Sequence, residues 1–323
     1  MNLLVTGGAG YVGGAVARRL RAAGHQVALL DDLSTGHRHT IAGFDFVEAD
    51  MADRAPVEAA LRDRRIEGIV HMAALCLVGA SVGSPEAYYD HNLRRPLVLL
   101  DLALRAGVRR FVFSSSAAVY GEPERTPIEE EHPTRPTNPY GETKLAFERA
   151  LGWHAAARGM TVVALRYFNA AGATDDGTHG EEHALETHLI PNVLRAARDG
   201  EPVAIFGTDY PTPDGTAIRD FVHIEDLAEA HRLALLHPLP AGGMEIFNLG
   251  SGRGASVREV IETARRVTGR PIPVRASPRR PGDPARLVAA HARAARGLGW
   301  RPQRDDLATI VDSAWRFATS RRG

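Results

Sequence analysis

Residues 6–13 read Thr6-Gly7-Gly8-Ala9-Gly10-Tyr11-Val12-Gly13. They follow the apolar run Leu3-Leu4-Val5, and Val12, Val16 and Leu20 then recur at helical spacing. The glycines at 7, 10 and 13 therefore sit on a strand-to-helix turn. Glycine there permits a tight turn and lets backbone N–H groups approach a pyrophosphate, and the helix N-terminus adds a field that favours the anion. A glycine triplet alone matches many turns; the flanking strand and helix make this one a dinucleotide signature. Asp31 and Asp32, with Leu33 beside them, close the next apolar strand about 20 residues on. A carboxylate there accepts hydrogen bonds from ribose hydroxyls and repels a 2′-phosphate, so NAD is expected over NADP. Asp50 and Met51 end a third strand, where an adenine would lie.

Working outward, the first half of the chain alternates short β-rich runs with helical stretches. Strands are expected at 3–6, 26–30, 44–48, 68–72, 110–114 and 161–166, and helices at 57–64, 92–106 and 139–158. This alternation predicts an α/β fold with a doubly wound, Rossmann-like parallel sheet over residues 1–168. Beyond 168 the pattern loosens, with Gly, Pro and Asp frequent at 172–180 and 207–216. Residues 169–323 are read as a second, smaller α/β substrate domain, part of which, near 220–250, packs back on the first.

Composition excludes several classes. Of 323 residues, 44% are apolar and 24% charged, the balance of a globular protein. Basic and acidic residues are 39 each, which argues against nucleic acid as a partner. No apolar run is long enough to span a membrane. Met1-Asn2 leads straight into the first strand with no charged leader, and Cys76 is the only cysteine, so a cytoplasmic protein is expected. All but one of the basic residues are arginine, and the exception is Lys144.

That lysine belongs to Tyr140-Gly141-Glu142-Thr143-Lys144. On a helix, i and i+4 share a face. An ammonium beside a phenol favours the phenolate and would lower its pKa toward working pH, giving a general base for a sugar or alcohol hydroxyl. Ser114-Ser115-Ser116 ends the preceding strand, and a hydroxyl there would face the crevice where such sheets bind ligands. The same serines could simply cap the strand end. His179, His183 and His188 lie close in sequence, but without a metal-binding pattern such as His-Glu-x-x-His; they read as adventitious surface histidines, and no metal is expected.

Taken together, the glycine turn and the Tyr140-x-x-x-Lys144 pair resemble the extended short-chain dehydrogenase/reductase superfamily. Phe113 to Gly121, Arg166-Tyr167-Phe168-Asn169, the long stretch Ile205 to His223 and Arg279-Arg280-Pro281-Gly282-Asp283 narrow the resemblance to UDP-glucose 4-epimerases. The resemblance covers nearly the whole chain. It implies inversion at C4 of a UDP-hexose: Tyr140 takes the 4-hydroxyl proton, relayed by Ser116, and Lys144 binds the nicotinamide ribose. Hydride passes to bound NAD and returns to the other face of a 4-keto sugar. It further implies cofactor contacts at Gly7, Gly10, Tyr11, Val12, Gly13, Asp31, Asp32, Leu33, Asp50, Met51, Met72, Ala73, Ala74, Asn92, Tyr140, Lys144 and Phe168. Nucleotide-sugar contacts are implied at Ser116, Tyr140, Asn169, His188, Leu189, Ala204, Phe206, Arg219, Arg280 and Asp283.

Some choices stay open at this level. A related UDP-sugar epimerase acting on N-acetylhexosamines, pentoses or uronates, or a UDP-sugar decarboxylase, would share these motifs; the position that gates N-acetyl sugars aligns near Leu287. A 4,6-dehydratase is disfavoured because Ala117-Ala118 stand where it needs an acid pair. A non-catalytic NAD-binding protein could have lost Tyr140 or Lys144. Cys76 stands where the family often has lysine and is read as a small buried filler. The resemblance also implies a homodimer through the 92–106 and 139–158 helices, with Leu97, Leu100, Leu104, Leu145, Phe147 and Ala150 as contributors.

Overall fold

A computed structural model describes residues 1–280 and 282–320. Pro281 of the Arg279–Asp283 segment and residues 321–323, the end of the expected second domain, lie outside the described residues. Seven parallel strands form the main sheet, in the order Met244–Leu249, Thr161–Tyr167, Arg110–Ser116, Gly68–His71, Asn2–Thr6, Gln26–Asp31, Asp45–Glu48. The chain starts in the middle, runs out to one edge, then returns past its starting strand. The reversal falls between Asn2–Thr6 and Gly68–His71, and ligands of such sheets bind beyond the C-terminal strand ends at that point.

Helices cover both faces, so the central strands are near-continuous apolar runs rather than alternating ones. On one face, Tyr11–Ala22 packs against Ile224–Leu236 over a core that includes Val5, Val16, Leu20, Leu227 and Phe247. On the other, Leu61, Leu99, Phe111, Phe147 and Val162 meet beneath Arg54–Asp63, Arg95–Arg105 and Pro139–Arg158. The sequence places a helix at 92–106. The chain is already helical from Pro85, through a widened π turn at Asp90–Arg94, before Arg95–Arg105 resumes the α-helix. That turn lies directly before Pro96, which cannot donate to the regular ladder. Strand Met244–Leu249 and helix Ile224–Leu236 belong to the main layers although they follow residue 168. A smaller core, centred on Val193, Val260 and Val311, gathers the helices Leu189–Asp199, Val257–Thr268 and Leu307–Ser320. Among the described residues, no helix is long and apolar enough to cross a membrane.

An ion pair sits behind the central strands. Arg166 and Glu148 are only 4% and 3% exposed and meet through two bonds of 3.0 and 2.6 Å. Ser115 Oγ donates to the same carboxylate at 2.5 Å. Arg166 also donates to the Tyr120 hydroxyl, which donates to Asn248. Burial opposes the Arg166 charge, but Glu148 outweighs it and raises the guanidinium pKa. Removing one partner leaves an uncompensated buried charge. Glu148→Ala is therefore expected to destabilise the fold by about 3–5 kcal/mol in denaturant unfolding, and Glu148→Met/Arg166→Met by clearly less.

Among the buried histidines, three are held neutral mainly by desolvation. Burial pushes His71 down to about 3 and His223 and His231 down to about 4. Between those values and the unfolded value near 6.5, the unfolded chain binds more protons than the native one, so stability rises with pH. The melting temperature is expected to fall as pH drops from about 6.5 toward 4, with His231→Leu flattening that slope.

Candidate active site

The glycine turn is built by exclusion of side chains. Gly7 has φ +69°, and a Cβ there would lie 2.6 Å from the Ala73 backbone nitrogen. A Cβ on Gly13 would lie 2.0 Å from the Gly7 carbonyl oxygen. Helix Tyr11–Ala22 starts at Gly10 with no side-chain cap, so its first-turn N–H groups remain donors for an anion. Asp31, at the end of its strand, accepts from Ala9 N at 3.0 Å and from Leu33 N at 2.8 Å. Each oxygen keeps a second lone pair, enough to receive ribose hydroxyls. These features fit a dinucleotide.

The phenol–ammonium pair is set by the start of Pro139–Arg158. Asn138 Oδ1 accepts from Gly141 N at 2.9 Å, and Pro139 occupies the first helical turn. A Cβ on Gly141 would come within 2.5 Å of the Ala118 carbonyl oxygen. The absent side chain lets the helix press against the turn that follows Ser116, bringing Tyr140 to Ser116. Ser116 Oγ also accepts from Ala118 N at 3.1 Å, so it caps the turn as well as meeting the phenol. Lys144 Nζ donates to the Ser114 carbonyl at 2.9 Å and lies 5.8 Å from the centre of the Tyr140 ring.

The electrostatic expectation for this pair needs correction. Burial raises the Tyr140 pKa, the Tyr167 and Cys76 groups add to the rise, and the Ser116 hydrogen bond only partly offsets it. Burial also pulls Lys144 down, to about 8. With protein groups alone, desolvation outweighs the ammonium's attraction for a phenolate.

One cavity of about 750 Å³ joins these groups. Its wall includes Gly7, Gly10, Tyr11, Val12, Gly13, Asp31, Asp32, Met51, Met72, Ala73, Ala74 and Phe168. Ser116, Tyr140 and Lys144 share it, as do Asn169, His188, Leu189, Ala204, Phe206, Arg219, Arg280 and Asp283. Leu33, Asp50 and Asn92 are not on the wall. Leu33 leans on the adjoining core, and Asp50 is paired with Arg95. Asn92 is 2% exposed and clamps Leu75 from behind, accepting from its N and donating to its O, both at 2.9 Å. It holds the Met72–Leu75 wall in place rather than touching the cavity. Arg219 is paired with Asp283, and the Arg280 guanidinium lies 4.0 Å over the Phe206 ring. Leu287 is off the wall, packed with Phe168 and Ala117.

Two further expectations change. Cys76 is an exposed residue on the cavity wall, not a buried filler. It stands in a recess, where desolvation raises its thiol pKa and Lys144 pulls the other way. The three histidines at 179–188 are not scattered surface groups. His179 is buried, with Nε2 2.6 Å from the Tyr11 carbonyl oxygen. His183 and His188 converge with Glu181 and Glu186 on the cavity wall. Hydrogen bonds to Glu181 and Glu186 push His183 up to about 10; burial opposes the charge on His188, but Glu181 still raises it. Glu181 and Glu186 lie in a segment without periodicity, which gives no sequence signal for them; Asn192 and Arg195 reach the same wall from helix Leu189–Asp199.

Residues 3–250 match the family described as the NAD dependent epimerase/dehydratase family. The UDP-glucose 4-epimerase of Corynebacterium glutamicum is 51% identical over 322 residues, covering 99% of this chain and 96% of the relative. That of Halalkalibacterium halodurans is 48% identical, covering 98% and 95%. Among solved structures, a UDP-glucose 4-epimerase from Stenotrophomonas maltophila, with bound NAD and formylated UDP-arabinopyranose, superposes with a TM-score of 0.94 at 38% identity, covering 98% and 97%. One from Bifidobacterium longum, in complex with NAD+ and UDP, gives 0.94 at 37% identity, covering 99% of each chain. With such likeness over its whole length, the chain belongs to the NAD dependent epimerase/dehydratase family, among the UDP-glucose 4-epimerases of the extended short-chain dehydrogenase/reductase superfamily.

Proposed function

We propose that the protein inverts C4 of a UDP-hexose, interconverting UDP-glucose and UDP-galactose with NAD as cofactor. The observation that carries this reading is the shared cavity: a glycine turn and Asp31 suited to a dinucleotide, a Ser116–Tyr140–Lys144 cluster, and paired arginines on one wall. In this reading residues 1–168 hold the dinucleotide and 169–323 the nucleotide sugar, apart from the strand and helix returned to the first layer.

The chain's own groups divide the work. The Tyr11, Val12 and Gly13 amides receive the pyrophosphate, and Asp31 the adenosine ribose. Lys144 has three donors, of which Ser114 takes one, leaving two for the nicotinamide ribose and its surroundings. NAD, when bound, supplies the reversible electron sink that makes C4 planar, together with a positive ring charge. Tyr140 takes the 4-hydroxyl proton, directly or through Ser116, and returns it to the epimeric alcohol. Burial raises the phenol's pKa, and a positive charge brought in by the cofactor beside Lys144 would favour the phenolate. Arg219 and Arg280 bind the diphosphate with Asn169, His188, Leu189, Ala204 and Phe206 around the nucleotide sugar.

Tyr140→Phe is expected to retain NAD and lose about 10²–10⁴-fold in turnover of UDP-galactose. Near-normal turnover would remove Tyr140 from acid/base chemistry. The same assay with UDP-N-acetylglucosamine, UDP-xylose and UDP-glucuronate separates the hexose reading from its relatives.

A homodimer completes the proposal, with a corrected surface. Leu100, Leu145 and Phe147 are buried within one chain and cannot contribute. Leu97, Leu104 and Ala150 stay half-buried, and Trp153 on Pro139–Arg158 is 79% exposed. A Trp left so open is unusual on a monomer surface and common at an interface. Light scattering is expected to give a dimer mass for the wild type and a monomer mass for Trp153→Glu. A monomeric wild type at micromolar concentration would sink this assignment.

A further inference from the structure

We propose that Glu181, His183, Glu186 and His188 form a binding site for one divalent ion of the zinc class. One ligand atom from each residue lies within 4.8 Å of all the others. His183 Nδ1 is 3.3 Å from both Glu181 Oε1 and Glu186 Oε2, and His188 Nδ1 is 3.8 Å from Glu186 Oε1. His188 also contacts Glu181 Oε1 directly.

These are not two separate ion pairs. Glu181 Oε1 is shared by both rings, and His183 is shared by both acids, so the donors face a common centre. Around a tetrahedral zinc ion with bonds of roughly 2.0–2.1 Å, ligand atoms sit roughly 3.3 Å apart. The two His183–glutamate spacings already match that, the His188–Glu186 spacing is somewhat longer, and the His188–Glu181 contact has to open. Two imidazoles with two carboxylates are a donor set for zinc or cobalt rather than for calcium or magnesium, which take oxygen ligands.

The surroundings support a site. The Glu181 and Glu186 side chains are 6% and 11% exposed. Two carboxylates so deeply placed attract positive charge, which a bound cation can supply as the two imidazoles do. Glu186 Oε1 accepts from Thr187 N and His188 N, both at 2.8 Å, which aims Oε2 at His183. Such outer hydrogen bonds orient metal ligands. All four ligands come from one segment immediately before helix Leu189–Asp199. A bound ion would tie that segment to the helix start and hold His188 and Leu189 on the cavity wall. The inference rests on these donors and stands apart from the epimerase reading.

The test uses the full-length protein with its NAD, stripped with a chelator and titrated with zinc chloride by calorimetry and with cobalt(II) by visible absorption. Expected are one zinc per chain, a higher melting temperature on loading, and the intense ligand-field bands of tetrahedral cobalt. His183→Ala and Glu186→Gln are each expected to weaken zinc binding at least about 10-fold, with unchanged circular dichroism. Absence of stoichiometric binding, equal binding in both variants, or the weak bands of octahedral cobalt would overturn the proposal. Should a variant fail to fold, the wild-type cobalt spectrum alone decides between those outcomes. None of these readouts depends on turnover, so a failed epimerase assay and a failed metal titration are distinct results.

Discussion

The Lys144 ammonium donates to the Ser114 carbonyl and so ties helix Pro139–Arg158 to the end of strand Arg110–Ser116. The lysine is 4% exposed, and burying an isolated ammonium costs far more than one neutral hydrogen bond returns. Its aromatic surroundings help: the charge lies 5.0 Å from the centre of the Phe113 ring. Even so, burial drags its pKa down to about 8, the mark of a charge held at some cost to stability. Such a group persists where its position has a use. Arginine, chosen at every other basic position, could not place a compact charge in this space.

The strand end that carries Ser114 and Ser116 must then be rigid. Ser115, on the opposite side of the strand, is tied to Glu148, and Glu148 comes from the same helix as Tyr140 and Lys144. Glu148 and Lys144, one turn apart on the same helix face, thus both tie that helix to this strand end. Tyr167, next to Arg166, accepts from Ser114 Oγ at 2.9 Å. The strand end is therefore braced by the helix on one face and by the Ser114–Tyr167 hydrogen bond on the other, which suits a site that must keep a phenol within reach of a hydroxyl.

Much of this was legible in the sequence. The glycine turn, the strand–helix alternation and the Tyr140–Lys144 spacing depend on local periodicity, and local periodicity is written in the chain. Helix Pro139–Arg158 has the limits its proline and glycine neighbours predict. Where several elements had to meet, sequence reading stopped short. Asn92 could not be told from a ligand contact, because only its pairing with Leu75 shows that it works from behind the wall. The sign of the Tyr140 shift depends on burial, which spacing does not report. Leu100, Leu145 and Phe147 read as interface residues because an apolar helix face looks the same whether its own chain or another covers it.

The second layer shows the same limit in its charges. Arg219 and Arg280 are a plausible diphosphate pair by type, but their readiness comes from their neighbours. Asp283 holds Arg219, and the Phe206 ring lies under the Arg280 guanidinium. Both side chains are thus ordered beforehand, and less rotamer freedom is lost on binding. Asp283 also subtracts charge from the cavity, so part of the attraction for a diphosphate is given up for orientation. In the proposed reading, the trade favours selectivity, because a ligand that engages two pre-ordered guanidiniums is preferred over one that engages a single guanidinium.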